Sequence, residues 1–337
     1  MATLLRTIDD RADWQQELAR AFTDPQALLR RLGLPADEPG LRASEDFALR
    51  APRPYVDRIR PGERDDPLLL QVLPRGEELA AAPGFGPDPL VEHEGAMPGL
   101  LRKYRSRALV ILRGGCAVNC RYCFRRHFPY GDHALGEAEL GRIVEGVAAD
   151  PEIDEVILSG GDPLSARDEA RAAVVAAFEA VPRLVRLRIH TRLPVVIPSR
   201  VTPGLVEVLA RTRLQAVVVL HANHPREIDA AVAAACERLR AGRVTLLNQS
   251  VLLRGVNDRV EALAELSQRL FAAGVMPYYV HLLDRVAGAA HFEVGEAEAR
   301  SLMAGLHAAL PGFLVPRLVR EVPGAASKTP IDLHLGG

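Results

Sequence analysis

From Arg105 onward, short β-rich runs alternate with helix-length amphipathic patterns, and this alternation constrains the fold more than any other feature. The β-rich runs are residues 108–112, 155–158, 184–190, 215–220, 244–249 and 275–281. Helical patterns fall near 137–147, 168–179, 203–209, 227–239 and 260–272, with a further one at 296–310. Strands separated by helices of this length make βαβ units and a parallel sheet. The runs are almost continuously apolar, as strands are when both faces are covered. About six units suit a partial (β/α)6 barrel as well as an open doubly wound sheet. One more apolar run, 314–319, precedes a short tail.

Polar residues at the strand ends favour the barrel, whose functional groups collect at the C-terminal ends of its strands. The first run leads into a cysteine-bearing loop and the second into Ser159-Gly160-Gly161-Asp162. The third ends in His190-Thr191-Arg192 and the fourth in His221-Ala222-Asn223-His224. Asn248-Gln249-Ser250 closes the fifth, and His281 and Asp284 close the sixth. One polar strand end is an ordinary loop. Six on one rim indicate an active site.

The cysteine loop carries Cys116, Cys120 and Cys123 in a C-x3-C-x2-C spacing, with Tyr122 directly before the third. Three thiolates this close can share one metal centre. An iron–sulfur cube is normally held by four cysteines, so three leave one iron open to a small molecule. A zinc site completed by another ligand is the alternative. The fourth cysteine, Cys236, lies far away in an alanine-rich helical pattern, where it reads as a small buried apolar residue.

Composition narrows the function classes. A net charge of −1 over 337 residues argues against nucleic acid or an anionic membrane as the main partner. The start of the chain lacks the apolar core of a signal peptide, and no segment has the length to span a bilayer. With three of four cysteines clustered, a reduced cytoplasm is the expected compartment. Of 42 basic residues only Lys103 and Lys328 are lysines, so chemistry requiring a primary amine has two candidates. Lys328 sits in a loop of small residues near the C-terminus, and imine formation with pyridoxal 5′-phosphate (PLP) is one reason to keep a lysine there. The other reason is solvation. Lys103 reads as a surface charge.

The first hundred residues have a different texture. Helical spacing at 14–22 and 25–32 gives way to recurring prolines from Pro35 to Pro98. This predicts a mainly helical region, 1–100, packed on a main domain, 101–321, with a tail, 322–337. No catalytic role is expected of the first region.

Taken together these motifs resemble the lysine 2,3-aminomutase family of PLP-dependent radical S-adenosylmethionine (SAM) enzymes. The likeness runs from about Phe47 to Asp332. It rests on Pro98-Gly99-Leu100, the cysteine loop, Ser159-Gly160-Gly161-Asp162, Ile189-His190-Thr191-Arg192, the stretch 248–258, Pro277-Tyr278-Tyr279 and the approach to Lys328. The chain ends nine residues after Lys328. With the sequence around the cysteines, this resembles the bacterial branch that makes (R)-β-lysine for translation elongation factor P.

The resemblance implies a radical SAM partial barrel with a helical N-terminal extension. It implies a [4Fe–4S] cluster held by Cys116, Cys120 and Cys123, with SAM on its open iron. Gly160, Gly161, Asp162, His221 and Gln249 would lie on the cofactor side, and Tyr104, Arg107 and Lys328 would hold PLP. Arg125 would grip the carboxylate of lysine, and Asp284 and Glu321 its ε-ammonium. In the free-lysine enzymes the second acid is Asp, so Glu321 lengthens the reach by one methylene. The partners implied are lysine, an electron-donor protein, and elongation factor P with its ligase. The reaction implied is a radical shift of the amino group from C2 to C3.

Overall fold

The computed structural model describes residues 10–37, 39–92, 99–130 and 136–334. Its centre is a sheet of nine strands in sequential order: β1 (Leu100–Lys103), β2 (Arg107–Arg113), β3 (Glu155–Gly160), β4 (Arg186–Thr191), β5 (Gln215–His221), β6 (Thr245–Val251), β7 (Met276–His281), β8 (Arg317–Arg320) and β9 (Thr329–Pro330). Strands β2 to β8 are parallel, while β1 and β9 pair antiparallel at the two edges. The sheet is not closed, so the architecture is a partial β/α barrel.

The alternation predicted six parallel strands, and the apolar run at 314–319 supplies a seventh as β8. That strand starts late, at Arg317, because a 3-10 turn at Gly312–Leu314 and then Pro316 delay the extended backbone. The helical pattern near 227–239 is realised as Ala230–Ala241. Glu227 drops out of it because its carboxylate takes the Asn223 and His224 backbone N–H groups, while Asp229 caps the helix at Val232 N. The β1–β2 hairpin was not read from the sequence. Its turn needs Tyr104 at φ +63°, a conformation few non-glycine residues adopt.

Helices cover the parallel strands, and the core is continuous across the two regions. Trp14, Leu28, Tyr55 and Leu69 share one cluster of buried side chains with Val110, Val156, Val218 and Leu246 of the sheet. The N-terminal region, built of Asp10–Ala19, Pro25–Arg31 and shorter helices, therefore closes the barrel's core. Strand β4 alternates between the two environments: Leu187, Ile189 and Thr191 are buried, whereas Arg186, Arg188 and His190 are half-buried. Among the described residues no helix is long and apolar enough to cross a membrane.

Candidate active site at the mouth of the barrel

Register brings the polar strand ends together. Arg113 pairs with Gly160, His221 with Gln249, and Val251 with His281, so the ends of β2, β3, β5, β6 and β7 form one rim. Side chains then cross between strands. The His190 and His221 rings meet edge-on at 5.7 Å, and Gln249 Nε2 lies 3.1 Å from His221 Nε2.

The cysteine loop leaves β2 and lies on the β3 loop. Gly161 N donates to Arg113 O at 2.6 Å and Asp162 N to Gly115 O at 3.1 Å. A Cβ on Gly160, which holds φ +120°, would stand 2.5 Å from Arg113 O, and one on Gly161 would stand 2.7 Å from Gly114 O. The two glycines are thus required by loop-on-loop packing. Asp162 is buried, and its carboxylate is engaged within the protein. It accepts from Thr191 Oγ1 at 2.7 Å, Arg192 N at 2.8 Å, Leu164 N at 2.9 Å and Leu193 N at 3.1 Å. Burial raises this carboxyl above its ordinary range in spite of those donors. Asp162 fixes the loop.

Cys116, Cys120 and Cys123 are half-buried free thiols on that loop. Burial, followed by repulsion from Cys120, pushes Cys123 up to about 11, and burial also pushes Cys116 well above its ordinary value. Such thiols stay protonated until a metal draws off the proton. Among the described residues no three Cys, His, Asp or Glu side chains already converge on a single ion. Cys236 is fully buried in the helix Ala230–Ala241, as the sequence predicts.

The N-terminal region grips this loop along its length. Asn119 N donates to Arg50 O at 3.0 Å, and Arg121 N to Gln71 O at 2.9 Å. The wholly buried Arg121 guanidinium meets Glu78 at 2.5 Å and Phe47 O at 2.6 Å, and Arg126 shares Glu78 at 2.9 Å. The proline-rich stretch gave no sign of this role, because its carboxylates and carbonyls carry no recognisable spacing.

Arg125 is also buried. Its Nε and Nη2 donate to Glu92 at 2.7 and 3.2 Å, and its Nη1 to Ser159 Oγ at 3.0 Å and to Gly160 O at 3.4 Å. The guanidinium stacks 4.8 Å from the Phe124 ring. Glu92 is a site neighbour that the sequence reading missed.

Lys328 arrives from the tail, beside β9. Its Nζ donates to Glu321 Oε2 at 2.6 Å and lies 5.9 Å from the centre of the Tyr279 ring. The Tyr104 hydroxyl donates to Glu321 Oε1 at 2.7 Å. Burial, followed by Glu321, holds the Tyr104 phenol well above its ordinary range. Arg107 stacks 5.3 Å from Tyr104 and lies 3.5 Å from Glu155. Asp284 is half-buried, three residues beyond β7. Glu321, expected to meet a substrate ammonium, meets the Lys328 ammonium here. Pro98 and the Lys103 side chain lie outside the described residues.

Electrostatics couple these pieces. Burial lowers His221 to about 3, helped by the positive charges of Arg192, Lys328 and Arg125. His190 is lowered well below its ordinary value by burial, with Lys328 and Arg125 again contributing. Lys328 from the tail and Arg125 from the cysteine loop therefore act on the same two histidines. His190 Nε2, His281 Nε2 and Gln249 Oε1 are buried without a hydrogen-bond partner. Orphaned polar atoms on a barrel's inner rim are what a polar cofactor or substrate would satisfy. The donor set thus fits an iron–sulfur cluster on one side and a PLP-bearing lysine on the other.

Comparison with known proteins agrees. The radical SAM superfamily matches residues 110–267. An L-lysine 2,3-aminomutase of Escherichia coli is 53% identical over 96% of this chain and 96% of its own length. One from Haemophilus influenzae is 49% identical over the same shares. One from Clostridium subterminale is 33% identical over 95% of this chain and 77% of its own length. The chain belongs to the lysine 2,3-aminomutase family of radical SAM enzymes, isomerases that work with a [4Fe–4S] cluster, SAM and PLP.

Proposed function

We propose that the protein is a cytoplasmic lysine 2,3-aminomutase that converts L-lysine to (R)-β-lysine, and that this product is destined for translation elongation factor P. One observation carries the reading: Lys328, one of two lysines in the chain, is held at the mouth of the barrel whose first loop bears the three cysteines. Support for lysine as substrate comes from the relatives' names. The elongation factor P destination is supported by the motif pattern around the cysteines alone.

In this reading Cys116, Cys120 and Cys123 hold the cluster, with SAM on the side of Gly160, Gly161, Asp162, His221 and Gln249. Tyr104, Arg107 and Lys328 hold PLP. When bound, these groups supply a carbon-centred radical from SAM and the imine chemistry that lets an amino group migrate. The protein's share is placement and the exclusion of water. Arg125 keeps its Nε on Glu92 and offers its Nη1 edge to the lysine carboxylate, since the 3.4 Å contact to Gly160 O is easily exchanged. With the Lys328 ammonium off Oε2, Glu321 would retain Tyr104 and present Oε2 to the substrate ε-ammonium, with Asp284 as the second acid. His190 and His221 stay neutral, so they do not repel that ammonium.

Supplying purified elongation factor P and its ligase with the anaerobic reaction mixture tests both halves. The factor should gain the mass of a β-lysyl group only when this protein, SAM, PLP, a reductant and lysine are all present. β-Lysine without transfer would leave the aminomutase and remove the destination.

A further inference from the structure

We propose that Arg192 sets the reduction potential of the cluster, acting through a hydrogen bond to Cys120. The inference rests on the reading that the three cysteines hold a [4Fe–4S] cluster. Arg192 stands at the end of β4, in a motif the sequence singled out but to which no role falls. Its Nη1 donates to Cys120 Sγ at 2.7 Å and to the Tyr122 hydroxyl at 2.8 Å.

Arg192 is only 4% exposed, and its guanidinium is pinned from the opposite side. Nη2 donates to Gln71 Oε1 at 2.7 Å and to Glu227 Oε2 at 2.9 Å, and the group lies 5.4 and 5.7 Å from the rings of Tyr55 and Tyr122. Glu227 is held in turn by Asn223 N at 3.0 Å and Gln71 Nε2 at 3.1 Å. Arg192 cannot swing away from the sulfur without breaking this network. Its own Nε, buried and without a partner, is left unsatisfied, so the geometry serves the groups on Nη1 and Nη2.

Reduction adds one electron, from an external one-electron donor, to the cluster and its thiolates, and no bond or proton need change. The added negative charge is stabilised by a fixed cation and by N–H donors aimed at a ligating sulfur, and both raise the potential. Arginine suits the task because it stays charged and its planar fork spans sulfur and carboxylate at once. Glu227 opposes the effect as the buried counter-charge. Gln71 and Tyr55 extend this control to the N-terminal region.

The test is a potentiometric titration with low-potential mediator dyes, followed by the paramagnetic signal of the reduced cluster, on anaerobically reconstituted Arg192→Met, Arg192→Lys and Glu227→Gln. Iron and sulfide are counted first. Arg192→Met should hold a full cluster at a lower potential, with Arg192→Lys between it and the parent, and Glu227→Gln should shift upward. A merely structural arginine would not produce opposite signs at 192 and 227. Wild-type potentials in cluster-replete Arg192→Met and Glu227→Gln, or shifts of the same sign, overturn the proposal. Should Arg192→Met fail to hold iron, Arg192→Lys and Glu227→Gln decide by the same criterion. A wild-type protein that takes up no iron and sulfide overturns the cluster reading, and this inference with it.

Discussion

Glu321 accepts the Lys328 ammonium on one carboxylate oxygen at 2.6 Å and the Tyr104 hydroxyl on the other at 2.7 Å. A carboxylate seven residues before Lys328 thus fixes the amine against Tyr279, in a position set partly by the left-handed backbone of Tyr104. The contact orients the lysine before any cofactor arrives.

Lys328→Ala is expected to separate the two cofactors. Iron and sulfide content should match the parent, because the cysteine loop is held by Glu78, Gln71 and Arg50, far along the chain from the tail. The visible absorbance of lysine-bound PLP, and its loss on borohydride treatment, should be absent. Lys328→Arg should fare no better, because a guanidinium stays protonated and forms imines poorly. Normal β-lysine production by Lys328→Arg would exclude Lys328 from the chemistry.

Substrate affinity should follow charge at the two acids. Asp284→Ala should raise KM for lysine by about a hundredfold, the order expected when one partner of a buried ammonium is removed, about 3 kcal/mol. Glu321→Asp should be milder in KM, and should weaken PLP retention only through Tyr104, which the shorter side chain no longer holds, because the contact with the Lys328 ammonium is given up when PLP is held. Steady-state kinetics beside a PLP titration reads the two effects separately, and an unchanged KM in Asp284→Ala removes that residue from the site.

Replacement of Cys116, Cys120 or Cys123 by Ala should abolish iron uptake. Cys236→Ala should retain it, since that thiol is fully buried in a helix away from the loop, with burial pushing it up to about 11. Iron per chain after anaerobic reconstitution checks this. Retention in Cys120→Ala together with loss in Cys236→Ala would reverse the assignment.

Much of this was legible in the sequence because periodicity and strand-end chemistry are local signals. The six β-rich runs and the cysteine loop could be placed from spacing, whereas Lys328 stood out by composition and took its role only from the family resemblance. What escaped depends on long-range packing. Glu92 on Arg125 and Glu78 on Arg121 join a proline-rich stretch to the cysteine loop, and no local pattern marks such pairs. Gly160 and Gly161, expected on the cofactor side, also answer to packing: an added Cβ would meet first the carbonyls of the neighbouring loop. Asp162 carries a functional signature, but its carboxylate is spent on Thr191 and the β4 loop.

Stability should fall as pH drops below the ordinary histidine range. Burial holds His221 at about 3 and His224 at about 4 in the folded protein, whereas both titrate near 6.5 when unfolded. Between those values the unfolded state binds more protons, so the contribution is complete above about 6.5 and is lost on acidification. Each such histidine adds up to about 1.4 kcal/mol per pH unit to the slope. Urea midpoints from pH 8 to 5 should decline, and less steeply in His221→Gln. A flat profile would contradict neutral buried histidines.

The central claim is a lysine aminomutase, and the most direct measurement follows the migrating nitrogen. The reconstituted protein is incubated anaerobically with SAM, PLP, a strong reductant and lysine labelled at its α-nitrogen. (R)-β-Lysine carrying the label on C3 is the expected product, with none formed when SAM or PLP is omitted. A preparation with full cluster and PLP content that cleaves SAM but yields no labelled β-lysine would contradict it.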